Sequence, residues 1–254
     1  MLLSEAFIKN GIDLGTVSEP MKDTEFFTVR RNPKIKEVIL NAYQYENQSL
    51  AEKQHLRDLM QESVSSFIKR DICDPGQPFG WKFGETVFTL PVLLDAIPSA
   101  KVIHLVRDGR DVMMSRLKPR FEIRFHEPFN KLVVFGDSET RHFLGHELTP
   151  ENINRFRTAL EMQHWVTATA YGLRGRNYPN QYLEVKYENV CCHPIVEFTR
   201  IFDFLEVPFL DSTKNWLLGN VKQNRIGKWK ALSPEEMELP IEIGGKLLGE
   251  LGYT

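Results

Sequence analysis

Apolar residues at positions 2, 3, 6, 7 and 8, followed by Gly11, predict a short helix over Leu2–Asn10 closed by a left-handed glycine. From Ser49 to Arg70 the period is helical again: Leu56, Leu59, Met60, Val64, Phe67 and Ile68 share one face, and Ser49 with Glu52 has capping-box spacing. Between these helices, Gly15 to Pro33 is a polar loop without a period. Asp74-Pro75-Gly76 then breaks the chain, Gly80 to Phe83 reads as a short strand, and Pro91 to Ile97 as a short helix. Val102, Ile103, Leu105 and Val106 form an apolar, β-branched run suited to an inner strand of a parallel sheet. A turn through Asp108 and Gly109 follows, and Val112, Met113 and Met114 open a helix.

Further on, Pro119 to Pro150 is long and irregular and mixes basic with aromatic residues, among them Arg120, Arg124, His126 and Lys131; loops of this length are often lids or binding loops. Thr149 and Pro150 are placed to open a long helix reaching about Arg174, and Tyr182 to Val185 reads as a strand. Pro194 opens a helix through Phe198, Ile201, Phe202 and Leu205, and Ser212 to Leu218 predicts a short one. Ser233 and Glu236 form a second capping box, with Pro240 expected to interrupt or kink that helix before Gly244 to Leu251. No internal repeat is present.

Strand, tight turn and helix over Lys101–Leu117 place a helix N-terminus at the carboxyl edge of a sheet, where free N–H groups and the helix dipole favour an anion. Arg107 ends the strand and Ser115 lies two helical turns on, so a guanidinium fork and a hydroxyl can converge on one phosphate. The same residues also fit a surface Arg–Asp pair and an inert helix serine.

This stretch resembles the second donor motif of the sulfotransferases that use 3′-phosphoadenosine 5′-phosphosulfate: an apolar strand, an arginine, a polar turn, "RDV", and a serine eight residues after the arginine. Gly80-Trp81-Lys82, the run Tyr182 to Asn189 (YLEVKYEN), the helix end Ile201–Leu205, the loop Arg225–Lys230 and the terminal Leu251-Gly252-Tyr253 resemble bacterial-type members in the same order. The resemblance implies one α/β domain over residues 1–254, of three-layer P-loop-NTPase-like fold with a central parallel sheet flanked by helices. It also implies a first strand and a phosphosulfate loop ahead of the first helix, both absent from this sequence. A chain lacking that loop is expected to hold the donor weakly, which keeps open an inert nucleotide-binding or interaction module.

A length of 254 residues with 42% hydrophobic composition suffices for the core of one α/β domain. A net charge of −2 argues against a general nucleic-acid binder. The cysteines, Cys73, Cys191 and Cys192, have neither disulfide nor zinc spacing, so reduced thiols in a reducing, cytoplasmic compartment are expected, and no run reaches the length of a membrane span. A small-molecule kinase is disfavoured, since Gly244-Gly245-Lys246-Leu247 lacks the hydroxyl of a P-loop.

Sulfuryl transfer needs groups that hold the donor, a cation at the breaking bond and a base for the acceptor's proton. By the resemblance, Arg107 and Ser115 take the 3′-phosphate, and Arg225, Gly227, Lys228 and Trp229 form a closing loop; two solvated basic residues beside a packed tryptophan are the plainer alternative. Tyr187 falls where relatives place an aromatic near the adenine, or is a core tyrosine. Lys82 resembles the lysine facing the sulfuryl group, or pairs with Glu85. The position of the catalytic histidine in some relatives is Gly84 here, so Glu25 is the candidate base, with Glu19 and Glu85 behind it. His126, His142 and His146 are candidate acceptor-side groups, and no metal motif is found. The acceptor class, whether small molecule, carbohydrate or peptide, and the oligomeric state stay open.

Overall fold

The capping box at Ser49 forms as its spacing predicts. In the computed structural model, which describes residues 2–19, 21–117, 131, 132, 134, 142–149 and 152–253, the Ser49 hydroxyl accepts from the Glu52 N–H while the Glu52 side chain bonds back to the Ser49 N–H. The chain divides into two compact units, one of Met1–Leu105 with Arg174–Gln223, the other of Val106–Leu173 with Asn224–Thr254.

The first unit contains α1 (Leu2–Lys9), α2 (Pro33–Asn41), α3 (Leu50–Asp71) and α4 (Leu90–Ala96). Gly11 has φ +83°, the left-handed conformation that ends α1. Strand β1 (Val102–Val106), four residues of which lie in this unit, pairs with β4 (Tyr182–Lys186), and α7 (Tyr187–Cys192), α8 (Pro194–Leu205) and α9 (Asp211–Asn220) follow β4. Val102 N–H bonds the Gln181 carbonyl, 2.7 Å, so the two strands start together and run parallel. Ala6, Ile12, Leu14, Val185, Phe198 and Phe202 make one core, and Phe26, Phe27, Phe67 and Trp81 a second, aromatic one. The strand expected at Gly80–Phe83 is not formed. Its backbone is extended, but a single bridge between Asp13 and Phe79 is the nearest sheet pairing, because Asp13 and Thr24 reach it from irregular backbone.

In the second unit, α5 (Gly109–Arg116), α6 (Arg157–Leu173) and α10 (Pro234–Glu250) surround Val106, Met113, Met162, Trp165, Met237 and Leu248, while a hairpin of β2 (His142–Phe143) with β3 (His146–Glu147) packs Phe143 with Phe156 and Leu160 in a separate cluster. Leu144 and Gly145 both have positive φ, as a two-residue hairpin turn requires, and this places His142 and His146 on its two facing strands. The long helix starts at Arg157, later than Thr149 would cap it, after a 3-10 turn over Ile153–Phe156; Pro150 lies outside the described residues. The helix from Pro234 runs through Pro240 uninterrupted. A proline inside a helix costs about 3 kcal/mol, and burial of Met237, Gly244 and Leu248 outweighs it. The two-stranded parallel sheet found among the described residues is smaller than the expected central sheet. Most of the proposed lid, including Arg120, Arg124 and His126, lies outside the described residues.

Candidate functional site

In the second unit, α5 begins with Asp108 as its N-cap, whose carboxylate accepts from the Arg110 N–H at 2.9 Å. The Arg110 guanidinium clamps the same carboxylate through two nitrogens, at 3.0 and 2.8 Å. The chain's own Asp108 carboxylate thus accepts at the first turn of α5, the helix N-terminus expected to favour an anion. Gly109 opens the helix for a packing reason: a Cβ there would lie 2.4 Å from the Trp165 ring. Trp165 packs against this backbone and donates its Nε1–H to the Arg107 carbonyl, 3.1 Å.

Arg107 points toward the C-terminal loop. Its Nη2 donates to the Arg225 carbonyl at 2.6 Å and lies 3.4 Å from Asp111 Oδ2. Asp111, with no side-chain exposure, accepts from the Gly227 N–H at 2.7 Å and the Trp229 N–H at 3.3 Å. Gly227 has φ +73°, a left-handed turn that favours glycine and directs both amides at the carboxylate. Over the Trp229 ring sits the Arg110 guanidinium, 3.8 Å from its centroid, a cation–π contact. Each of these charge-assisted bonds contributes roughly 1.5–3 kcal/mol. The structure thus brings Arg107, Arg225, Gly227 and Trp229 together. Lys228 is exposed on the same loop, and Ser115, half-buried in the last turn of α5, makes no hydrogen bond to a described residue.

In the first unit, Thr24 joins the two candidate catalytic segments. Its N–H donates to the Lys82 carbonyl at 2.7 Å, and its hydroxyl accepts from the Lys82 N–H at 3.0 Å and donates to the Leu14 carbonyl at 3.1 Å. Lys82 and Glu25 therefore belong to one corner. The Lys82 ammonium pairs with Asp23 and also donates to the Met21 carbonyl, while Glu25 pairs with Arg31. Trp81 stacks on Phe27 at 4.4 Å, which holds Gly80-Trp81-Lys82 in place. Tyr187 is half-buried at the start of α7.

Three groups were missed from the sequence. Asp111 stands four residues after Arg107, a readable spacing, but its loop partner Gly227 is 116 residues away. Asp23 is one more acidic residue of a polar loop. His104, a polar residue inside the apolar β1, bonds Tyr182 Oη at 2.6 Å, and burial lowers its pKa to about 4. Among the described residues no group of side chains could hold a metal ion, and no helix is long and apolar enough to cross a membrane.

Comparison with known proteins adds one finding: a family model described as the sulfotransferase family matches residues 21–211, which include Glu25, Lys82, Arg107, Ser115 and Tyr187 but not the 225–229 loop. No curated protein and no solved structure matches the chain significantly.

Proposed function

Because the chain belongs to the sulfotransferase family, we propose that it moves a sulfuryl group from 3′-phosphoadenosine 5′-phosphosulfate to the hydroxyl or amine of a small-molecule, carbohydrate or peptide acceptor. The three-layer P-loop-NTPase-like fold is part of that proposal. The observation that carries it is the placement of Arg107: a guanidinium just past the end of β1, next to α5, bonded to a loop that carries its own basic side chains, Arg225 and Lys228.

In this reading the acceptor oxygen or nitrogen attacks sulfur, the bond from sulfur to the bridging phosphate oxygen breaks, and adenosine 3′,5′-bisphosphate leaves with the electron pair. Arg107, with Ser115 two turns along α5, holds the 3′-phosphate, and the loop from Arg225 through Gly227, Lys228 and Trp229 closes on the nucleotide. Tyr187 packs near the adenine. Lys82 neutralises charge on the sulfuryl oxygens, exchanging its contact with Asp23 for them. Glu25 takes the acceptor's proton once its carboxylate is released from Arg31.

A second reading, a nucleotide-binding module without turnover, is favoured by those same two ion pairs, which engage the proposed cation and the proposed base. Two measurements on one preparation separate them: calorimetric binding of adenosine 3′,5′-bisphosphate, and transfer of radiolabelled sulfuryl to a panel of sugars, phenols and tyrosine peptides. Binding with transfer that Lys82→Ala abolishes is expected. Binding without transfer to any acceptor class supports the module, and no binding removes both readings.

A further inference from the structure

The stretch Arg107-Asp108-Gly109-Arg110-Asp111 sets two bases and two acids around the first turn of α5, and the acids serve the C-terminal loop in different ways. Asp108 caps the helix and clamps Arg110, whose guanidinium lies over the Trp229 ring. Asp111 takes the backbone of the same loop: Oδ2 accepts from the Gly227 N–H at 2.7 Å and Oδ1 from the Trp229 N–H at 3.3 Å. The oxygen that receives Gly227 also lies 3.4 Å from Arg107 Nη2, and that nitrogen donates to the Arg225 carbonyl at 2.6 Å.

These contacts close a ring, from Arg107 to the Arg225 carbonyl, along the chain to the Gly227 N–H, then to Asp111 and back to Arg107. Trp165 fixes the backbone end of the arginine by donating to its carbonyl. A planar guanidinium with one nitrogen set between two oxygens keeps one direction of its fork, so the loop's position and the arginine's aim change together. Two amides alone do not account for a charge at this place. Asp111 has no side-chain exposure, and burying a carboxylate costs more than burying a neutral amide that also accepts hydrogen bonds. What the charge adds is its pull on Arg107. An anion repels a phosphate, so Asp111 acts on one through the arginine.

We propose that Asp111 is a positioning residue for the 3′-phosphate: its charge aims the Arg107 fork and ties that fork to the 225–229 loop, so that seating the phosphate and shutting the loop are one event. The proposal rests on the sulfotransferase reading, which supplies the phosphate. It adds where the preference for that phosphate is set, in a buried carboxylate that does not touch the nucleotide. Because coupling between two sites is reciprocal, the phosphate steadies the loop as much as the loop steadies the phosphate.

The test uses Asp111→Asn, which keeps an oxygen for the Gly227 amide and removes the charge. By calorimetry, wild type is expected to bind adenosine 3′,5′-bisphosphate more tightly than adenosine 5′-monophosphate. Asp111→Asn is expected to lose about tenfold of that preference, with its affinity for the monophosphate changed by less than about twofold. A residue that only braced the fold would weaken both nucleotides alike, so an unchanged ratio in Asp111→Asn overturns the proposal and leaves the sulfotransferase reading standing. No preference in wild type overturns both. A second measurement needs no variant: amide hydrogen exchange on wild type with each nucleotide at about ten times its own Kd. The bisphosphate is expected to slow the Gly227 and Trp229 amides about tenfold, and the monophosphate by less than about twofold. Equal slowing by the two overturns the proposal whether or not the variant folds.

Discussion

In the second unit a buried carboxylate draws a distant loop onto α5, Asp111 accepting from two of its amides; in the first, an apolar cavity of about 760 Å3 lies beside β1, lined by Phe79, Trp81 and Ile103 among others. The contrast is between a region held by buried charge and one lined by apolar side chains. Around Arg107 the chain supplies its own anions, Asp108 and Asp111, so removing a side chain there leaves charges uncompensated.

The largest effect should come from opening the closed region. Asp111→Ala removes the acceptor of the Gly227 and Trp229 amides and a neighbour of Arg107, and is expected to cost about 3–5 kcal/mol in urea unfolding. Trypsin cleavage after Arg225 or Lys228 should accelerate in the same variant. A loss below about 1 kcal/mol would mean that the loop is held by other contacts.

Next in size is an effect of acid on the first unit. Burial, opposed by the nearby charge of Glu184, lowers the His104 pKa from 6.5 to about 4. The unfolded chain therefore takes up a proton on this ring before the folded one does, and stability rises with pH between those values. Stability should fall by roughly 3 kcal/mol as pH drops from about 6.5 to about 4, and His104→Gln should flatten that window. An unchanged slope in the variant would place the proton uptake elsewhere.

A smaller effect sharpens the comparison from the packing side. Gly109→Ala sets a Cβ against the Trp165 ring and should cost about 1–3 kcal/mol, seen as a lower melting temperature; a neutral result would show that α6 can give way.

What the sequence disclosed was local. The capping boxes at Ser49 and Ser233, the left-handed Gly11 and the strand-turn-helix around Arg107 each depend on residues a few positions apart, and each formed. Pro240 was misjudged because helix propensity yields to the packing of Met237, Gly244 and Leu248. Gly80–Phe83 is extended as its pattern suggests, but whether an extended segment becomes a strand depends on a neighbour that pattern cannot supply. Asp108 is readable as a cap from its place ahead of Arg110, and it caps α5. Partners drawn from far along the chain, Asp111 with Gly227 and Lys82 with Asp23, carry no periodic signal.

The central claim is that Arg107 reads a ribose-linked phosphate, and calorimetry tests it most directly. Wild type and Arg107→Ala would each be titrated with adenosine 3′,5′-bisphosphate and with adenosine 5′-monophosphate. Wild type is expected to prefer the bisphosphate, and Arg107→Ala to lose about 1.5–3 kcal/mol of that preference, roughly 10–150-fold in Kd. Equal binding of the two nucleotides by wild type, or an unchanged preference in Arg107→Ala, would contradict it.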